Sequence, residues 1–131
     1  MILLDTHVLV WLVADEGRLS KRASSAIRRA RASDGIGIAD ITIWELAFLF
    51  ARGALRTHGT VENTVRNFVI RSGANVKPIT AEIAVLATQF PDDYPKDPVD
   101  RLIGATARAE GIALVTRDEK IRASPLLKTI W

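Results

Sequence analysis

Apolar residues fall along this chain in two alternating patterns. Short continuous runs are each followed by longer stretches in which apolar positions return every three or four residues. The first run, Ile2-Leu3-Leu4, breaks off at Asp5-Thr6 and predicts a buried strand with a polar carboxyl end. His7 to Ala14 predicts a short, very apolar helix, and Ser20 is placed to cap a second helix over Lys21 to Ala32. Asp34-Gly35 marks a turn before a second strand, Ile36 to Ala39. A helix over Ile41 to Arg52 follows, with Asp40 as its cap and Gly53 as its stop. Thr60 opens a helix to about Ile70, ended by Gly73. Asn75 to Ile79 predicts a strand, and Thr80 caps a helix rich in Ala, Ile, Val and Leu to about Gln89. Pro91 to Pro98 reads as a polar loop. The helix Pro98 to Glu110 stops at Gly111, Ile112 to Val115 is the clearest buried strand, and a last strand falls within Leu126 to Ile130.

Strands alternating with helices predict an α/β fold, a three-layer α/β/α sandwich with a central parallel sheet. With 131 residues, no internal repeat, 48% hydrophobic and 25% charged residues, the expectation is a single domain over 1–131 with an ordinary core. Val8 to Ala14, the longest strongly apolar run, falls well short of the roughly 20 residues that span a bilayer. No basic leader precedes the first apolar stretch, so neither a membrane span nor a secretory signal is expected. Cysteine is absent, which excludes disulfide scaffolds, thiolate zinc sites and cysteine nucleophiles, and suits a reducing cytoplasm.

Four acidic residues stand out by position. Asp5 ends the first strand, Glu45 lies in the first turns of the Ile41 helix, Asp100 in the first turn of the Pro98 helix, and Asp118 just beyond the Ile112 strand. In an open α/β sheet ligands gather beyond the carboxyl ends of strands, so all four are expected to converge there. Two carboxylates about 4 Å apart repel by roughly 4 kcal/mol at an effective dielectric of 20. Four together require protons or a cation. Oxygen donors without His or Cys nearby select Mg²⁺ or Mn²⁺, which points to metal-assisted hydrolysis of a nucleic-acid backbone.

Each acid also has a plainer explanation. Thr42-Ile43-Trp44-Glu45 fits a capping box, although Ile41, Phe48 and Leu49 put Glu45 on an apolar face where a carboxylate needs a partner. Asp97 before Pro98 suits an N-cap followed by N1 proline, and that role is preferred for it. Asp118 suits the cap of a short helix through Lys120. Asp5 has the firmest case, since a lone carboxylate ending a buried strand seldom serves packing.

These residues resemble the PIN-domain ribonucleases, and within them the VapC toxins of toxin–antitoxin pairs. The resemblance rests on Ile2-Leu3-Leu4-Asp5-Thr6-His7, Ile41-Thr42-Ile43-Trp44-Glu45-Leu46, Asp97-Pro98-Val99-Asp100 with the helix after it to Ala107, and Ala113-Leu114-Val115-Thr116-Arg117-Asp118. It implies a catalytic quartet of Asp5, Glu45, Asp100 and Asp118. Asp5 and Asp100 would hold Mg²⁺ or Mn²⁺, with Glu45 and Asp118 acting directly or through water. Thr6 and Thr116 match hydroxyl positions that orient the carboxylates, and Asp97 stands beside them. His7 stands where many relatives carry Asn, and Ala39 where they often carry Ser. The resemblance further implies RNA as substrate, a homodimer, and a cognate antitoxin whose C-terminal segment blocks the acidic cleft.

Net charge is only +3, but Arg28, Arg29 and Arg31 belong to a basic run free of acids. With Arg101 and Arg117 they are candidates for the RNA backbone, the alternative for the run being a solvated helix face. Val8 to Val13, with Trp44, Phe48 and Phe50, exceed what one buried helix face requires. Most are expected in the core and the remainder at a protein interface. Two other function classes compete. A phospho-acceptor receiver domain would want paired acids after the first strand and a Lys after a late one, and has neither here. A non-catalytic RNA-binding or scaffold domain would not need an intact quartet.

Overall fold

The computed structural model describes residues 1–131. Five short strands pair in parallel in the order β3-β2-β1-β4-β5. They are β1 (Ile2–Leu4), β2 (Ile36–Ala39), β3 (Asn75–Lys77), β4 (Leu114–Val115) and β5 (Thr129–Ile130). Between β1 and β2 run α1 (Thr6–Ala14) and α2 (Lys21–Arg31); between β2 and β3, α3 (Asp40–Ala51) and α4 (Val61–Ser72). Next come α5 (Ala81–Ala87) and α6 (Pro98–Glu110) before β4, and α7 (Glu119–Arg122) before β5.

This order explains the layers. The chain steps from β1 to β2 to β3 in one direction, then crosses back to β4 and β5 in the other. Parallel crossovers are nearly always right-handed, so reversing direction moves the helices to the opposite face. The two faces accordingly carry separate cores. Leu4, Ile36, Ile38 and Val115 pack with α1, α2 and α4 on one side. Leu3, Ala39 and Leu114 pack with residues of α5, α6 and α7 on the other. Helix α3 bridges the two, with Leu46 and Phe50 in the first core and Ile41 against the second. The three-layer sandwich on a parallel sheet is therefore as the sequence predicts.

Most helix ends are where the sequence puts them. Ser20, Thr60, Thr80 and Asp97 each accept a hydrogen bond from the first turn of the helix they open. Gly73 and Gly111 close α4 and α6 in the left-handed conformation that glycine adopts without steric cost. Helix α1, rich in β-branched residues, buries Val8 through Leu12 entirely in the core. Burial rather than intrinsic propensity holds it.

Several expectations are corrected. Asp40 does not cap α3: it is the first helical residue, Ala39 occupies the cap, and Asp40 Oδ2 accepts from the Ile79 amide at 3.0 Å, tying α3 to the segment after β3. Pro91 to Pro98 is not a purely polar loop, because Tyr94 within it is buried against α6, its ring stacked 4.1 Å from that of the buried Phe90 just before it. Gly104 makes room for them; a Cβ there would run into the Tyr94 hydroxyl and the Phe90 ring. Strand β4 is also shorter than expected, because Ile112 spends its amide on the Ala107 carbonyl closing α6. No helix is long and apolar enough to cross a membrane.

Candidate active site

Strands β1 and β4 are neighbours whose onward connections leave in opposite directions, so a crevice opens beyond their carboxyl ends. A cleft of about 490 Å³ lies there, lined by Asp5, His7, Val8, Trp11, Glu45, Asp97, Asp100, Arg117, Asp118 and Glu119. All four predicted acids are among these residues, each from a different element. Asp97 and Glu119 add two more carboxylates, against the single guanidinium of Arg117.

Asp5 is the most constrained. Its Oδ1 accepts the Thr6 amide at 2.9 Å, capping α1, and its Oδ2 accepts the Thr116 hydroxyl at 2.7 Å from beyond β4. Burial raises its pKa, and these two hydrogen bonds pull against that rise. The Thr116 oxygen also accepts the Asp118 amide at 3.1 Å, while Asp118 Oδ1 accepts from Ile121 at 3.0 Å and caps α7. Capping and cleft-lining thus coexist at Asp118.

The capping-box alternative for Glu45 does not hold. Thr42 is already inside α3, and its hydroxyl shares a 3.0 Å hydrogen bond with the Thr6 hydroxyl. Glu45 reaches the cleft from the second turn. Its pKa is raised by burial and by Asp5, and lowered by the Thr6 hydroxyl.

Asp100 is raised as well. Burial first, and then the surrounding Asp5, Asp97, Glu45 and Asp118, push it up to about 7. Asp97 does cap α6, accepting the Val99 amide at 2.8 Å, yet it also lines the cleft and repels both Asp100 and Glu45. The carboxylates surround the cleft rather than closing on one point: no three acids or imidazoles are grouped tightly enough to hold an ion in common.

The basic candidates separate. Arg117 lines the cleft, its guanidinium 5.9 Å from the centre of the Trp11 ring. Arg101 is spent on structure, donating to the carbonyls of Pro95, Phe90 and Pro91. Arg28, Arg29 and Arg31 lie on α2 and none lines the cleft; Arg31 donates to the Ser72 carbonyl at 2.7 Å. His7, noted from the sequence only as a departure from the Asn of many relatives and not counted among the site residues, lines the cleft and favours ionised Asp5 and Glu45. Its signal was its place two residues after Asp5, so the premise of no histidine near the acids is corrected. Trp11 was missed as a wall of the cleft because its apolar surroundings assigned it to core.

The PIN domain family model matches residues 2–125. The chain belongs to the PIN-domain family. Among curated PIN-type relatives, Ribonuclease VapC22 of Mycobacterium tuberculosis is 36% identical over 99% of this chain and 98% of its own length. The fold is similar to that of VapBC2 from Rickettsia felis bound to a DNA fragment from its promoter, with TM-score 0.73, 18% identity, and 98% of this chain and 97% of that one covered. It is also similar to DNA-bound VapBC from Salmonella typhimurium, with TM-score 0.71, 18% identity and the same coverages.

Proposed function

We propose that this PIN-domain protein is a metal-dependent endoribonuclease of VapC type, the toxin of a toxin–antitoxin pair acting in the cytoplasm. The observation that carries this reading is the arrival of Asp5, Glu45, Asp100 and Asp118, from four elements, on one cleft at the carboxyl edge of the sheet. The ribonuclease named among its relatives supports it.

The donor set fits Mg²⁺ or Mn²⁺. Every candidate ligand is a hard carboxylate oxygen, and burial first, with their mutual repulsion second, raises Asp5, Glu45 and Asp100, as expected of a site that favours positive charge. Mg²⁺ commonly uses one or two carboxylates and keeps several waters, so Asp5 and Asp100 suffice to hold it, with Glu45 and Asp118 reaching it directly or through water. When bound, such an ion supplies Lewis acidity and a nucleophilic water at neutral pH. The protein does the rest. Thr116 and the Thr6 amide fix Asp5, and the Thr6 hydroxyl, itself paired with that of Thr42, favours the ionised form of Glu45. Asp100, pushed up to about 7 in the metal-free protein by burial and its acidic neighbours, would release its proton on binding the ion. Arg117 offsets the charge of the incoming phosphodiester.

Protein partners are expected at the apolar groove of about 410 Å³ beside the cleft, lined by Ile41, Trp44, Glu45, Phe48, Asp97, Pro98, Val99 and Leu102. Phe50 and the α1 run are core, whereas Trp44 and Phe48 are 55% and 48% exposed with rings stacked at 5.4 Å. Because Glu45 and Asp97 line both spaces, an antitoxin segment seated in the groove would cover the acids. The homodimer expectation rests on the family resemblance alone.

The test is cleavage of a defined RNA by purified protein with Mg²⁺ or Mn²⁺, with and without chelator, alongside Asp5→Asn and Asp100→Asn. Cleavage abolished by chelator and by either variant supports the reading. RNA bound without cleavage under all conditions would instead identify a non-catalytic RNA-binding domain.

A further inference from the structure

A second cavity of about 480 Å³ adjoins the acidic cleft across Glu119, which lines both. Its charge balance is reversed, with Arg22 from α2 and Arg122 from α7 against the one carboxylate of Glu119, and the Trp131 side chain on its wall. Both arginines are exposed, and neither forms a salt bridge or a side-chain hydrogen bond within the chain. Guanidinium groups left free at a cavity mouth are placed to bind an anion, and their planar fork matches a phosphate.

The two cavities are joined by more than proximity. Trp131 packs on Trp11, the aromatic wall of the acidic cleft, with ring centres 5.7 Å apart. Arg18 and Arg117 stand 4.9 Å and 5.9 Å from the centre of that same Trp11 ring. The Trp11–Trp131 pair therefore links the two cavities, with Arg18 and Arg117 against Trp11 at one end and Arg22 and Arg122 beside Trp131 at the other. Positive grooves paired with aromatic faces are how proteins hold single-stranded nucleic acid without reading its sequence, and a cavity of this volume accommodates a small ligand such as one nucleotide.

We propose that this cavity is a binding subsite for single-stranded RNA flanking the bond to be cut. Arg22 and Arg122 bind a backbone phosphate, and Trp131 provides the surface against which the neighbouring base lies. The assignment rests on the ribonuclease reading and deepens it. It also moves the RNA-binding surface away from Arg28, Arg29 and Arg31, none of which lines either cavity.

The experiment is fluorescence anisotropy of a labelled single-stranded RNA in chelator, repeated across salt concentrations, with wild-type protein, Arg22→Ala/Arg122→Ala, and Arg28→Ala/Arg29→Ala. The first double variant is expected to weaken binding about tenfold or more and to make the salt slope shallower by about 0.7 for each phosphate no longer neutralised. The α2 control is expected to retain wild-type affinity. Trp131→Ser should lose about fivefold or more, with Trp131→Phe restoring most of it. Circular dichroism confirms that each variant is folded. Wild-type protein that neither binds nor cleaves RNA overturns both readings. Wild-type binding with Arg22→Ala/Arg122→Ala unchanged, or with the α2 control equally impaired, overturns the subsite alone. So does a double variant that binds RNA normally but loses an acidic protein partner.

Discussion

The Thr116 hydroxyl donates to Asp5 Oδ2 at 2.7 Å across 111 positions of sequence. This bond joins the carboxyl ends of β1 and β4, the two strands between which the cleft opens. Thr116→Val keeps the side-chain volume but removes the donor. A buried hydrogen bond of this kind contributes about 1 kcal/mol, so the variant should be less stable by that order. Asp5 is proposed as a metal ligand, and removing a group that orients such a ligand typically costs about 10- to 100-fold in metal affinity. Urea unfolding and Mn²⁺ titration calorimetry check the two effects separately.

Asp100 gives a pH dependence of definite sign. Its folded-state pKa of about 7 lies above that of an unfolded aspartate, near 4, so between these values the folded protein binds more protons than the unfolded one. Its contribution to stability is fully present below about pH 4 and is lost as pH rises through about 7. Asp5 and Glu45 are raised too and act in the same direction. In chelator, the melting temperature of Asp100→Asn minus that of wild type should therefore grow from pH 4 to pH 8. Saturating Mg²⁺ should shrink that difference by stabilising wild type, and a flat difference in chelator would remove the crowding argument.

Asp97 and Asp100 should separate in function. Asn is as good an N-cap as Asp, so Asp97→Asn is expected to keep α6 within a few tenths of a kcal/mol of wild-type stability. It also removes one of the charges that raise Asp100, whose pKa should fall. RNA cleavage should decline far less than in Asp100→Asn. Equal loss of activity in the two variants would make Asp97 an essential member of the site.

Gly104 is required by packing. Gly104→Ala puts a methyl group against the Tyr94 hydroxyl, which itself donates to the Asp100 carbonyl at 3.1 Å. Overpacking of this kind costs about 1–3 kcal/mol, read as a lower urea midpoint. Tyr94→Phe in the same chain removes the obstructing oxygen and should recover part of the loss.

Much of the fold was legible because local rules agreed with the global one. Helix α6 carries Asp97 at its cap, Pro98 at N1 and Gly111 at its end, and it forms over the predicted residues. Where a segment's partner lay far away, local reasoning failed. Asp40 looked like a cap because nothing nearby shows that the Ile79 amide claims its carboxylate. Arg101 looked like a phosphate ligand because the carbonyls it holds become its neighbours only when residues 90–95 fold against α6.

By itself, the sequence determined the alternation of strands and helices and the identity of four acids at strand ends and helix starts, because hydrophobic periodicity and capping act over a few residues. Only the tertiary structure decided which charges share a space. It brought His7, Trp11 and Arg117 to the acids, occupied Arg101 with backbone carbonyls, and put Arg22 and Arg122 in a neighbouring cavity. Coulombic and hydrogen-bond energies depend on distance through space, and in a parallel sheet whose connections reverse direction that distance bears little relation to separation along the chain.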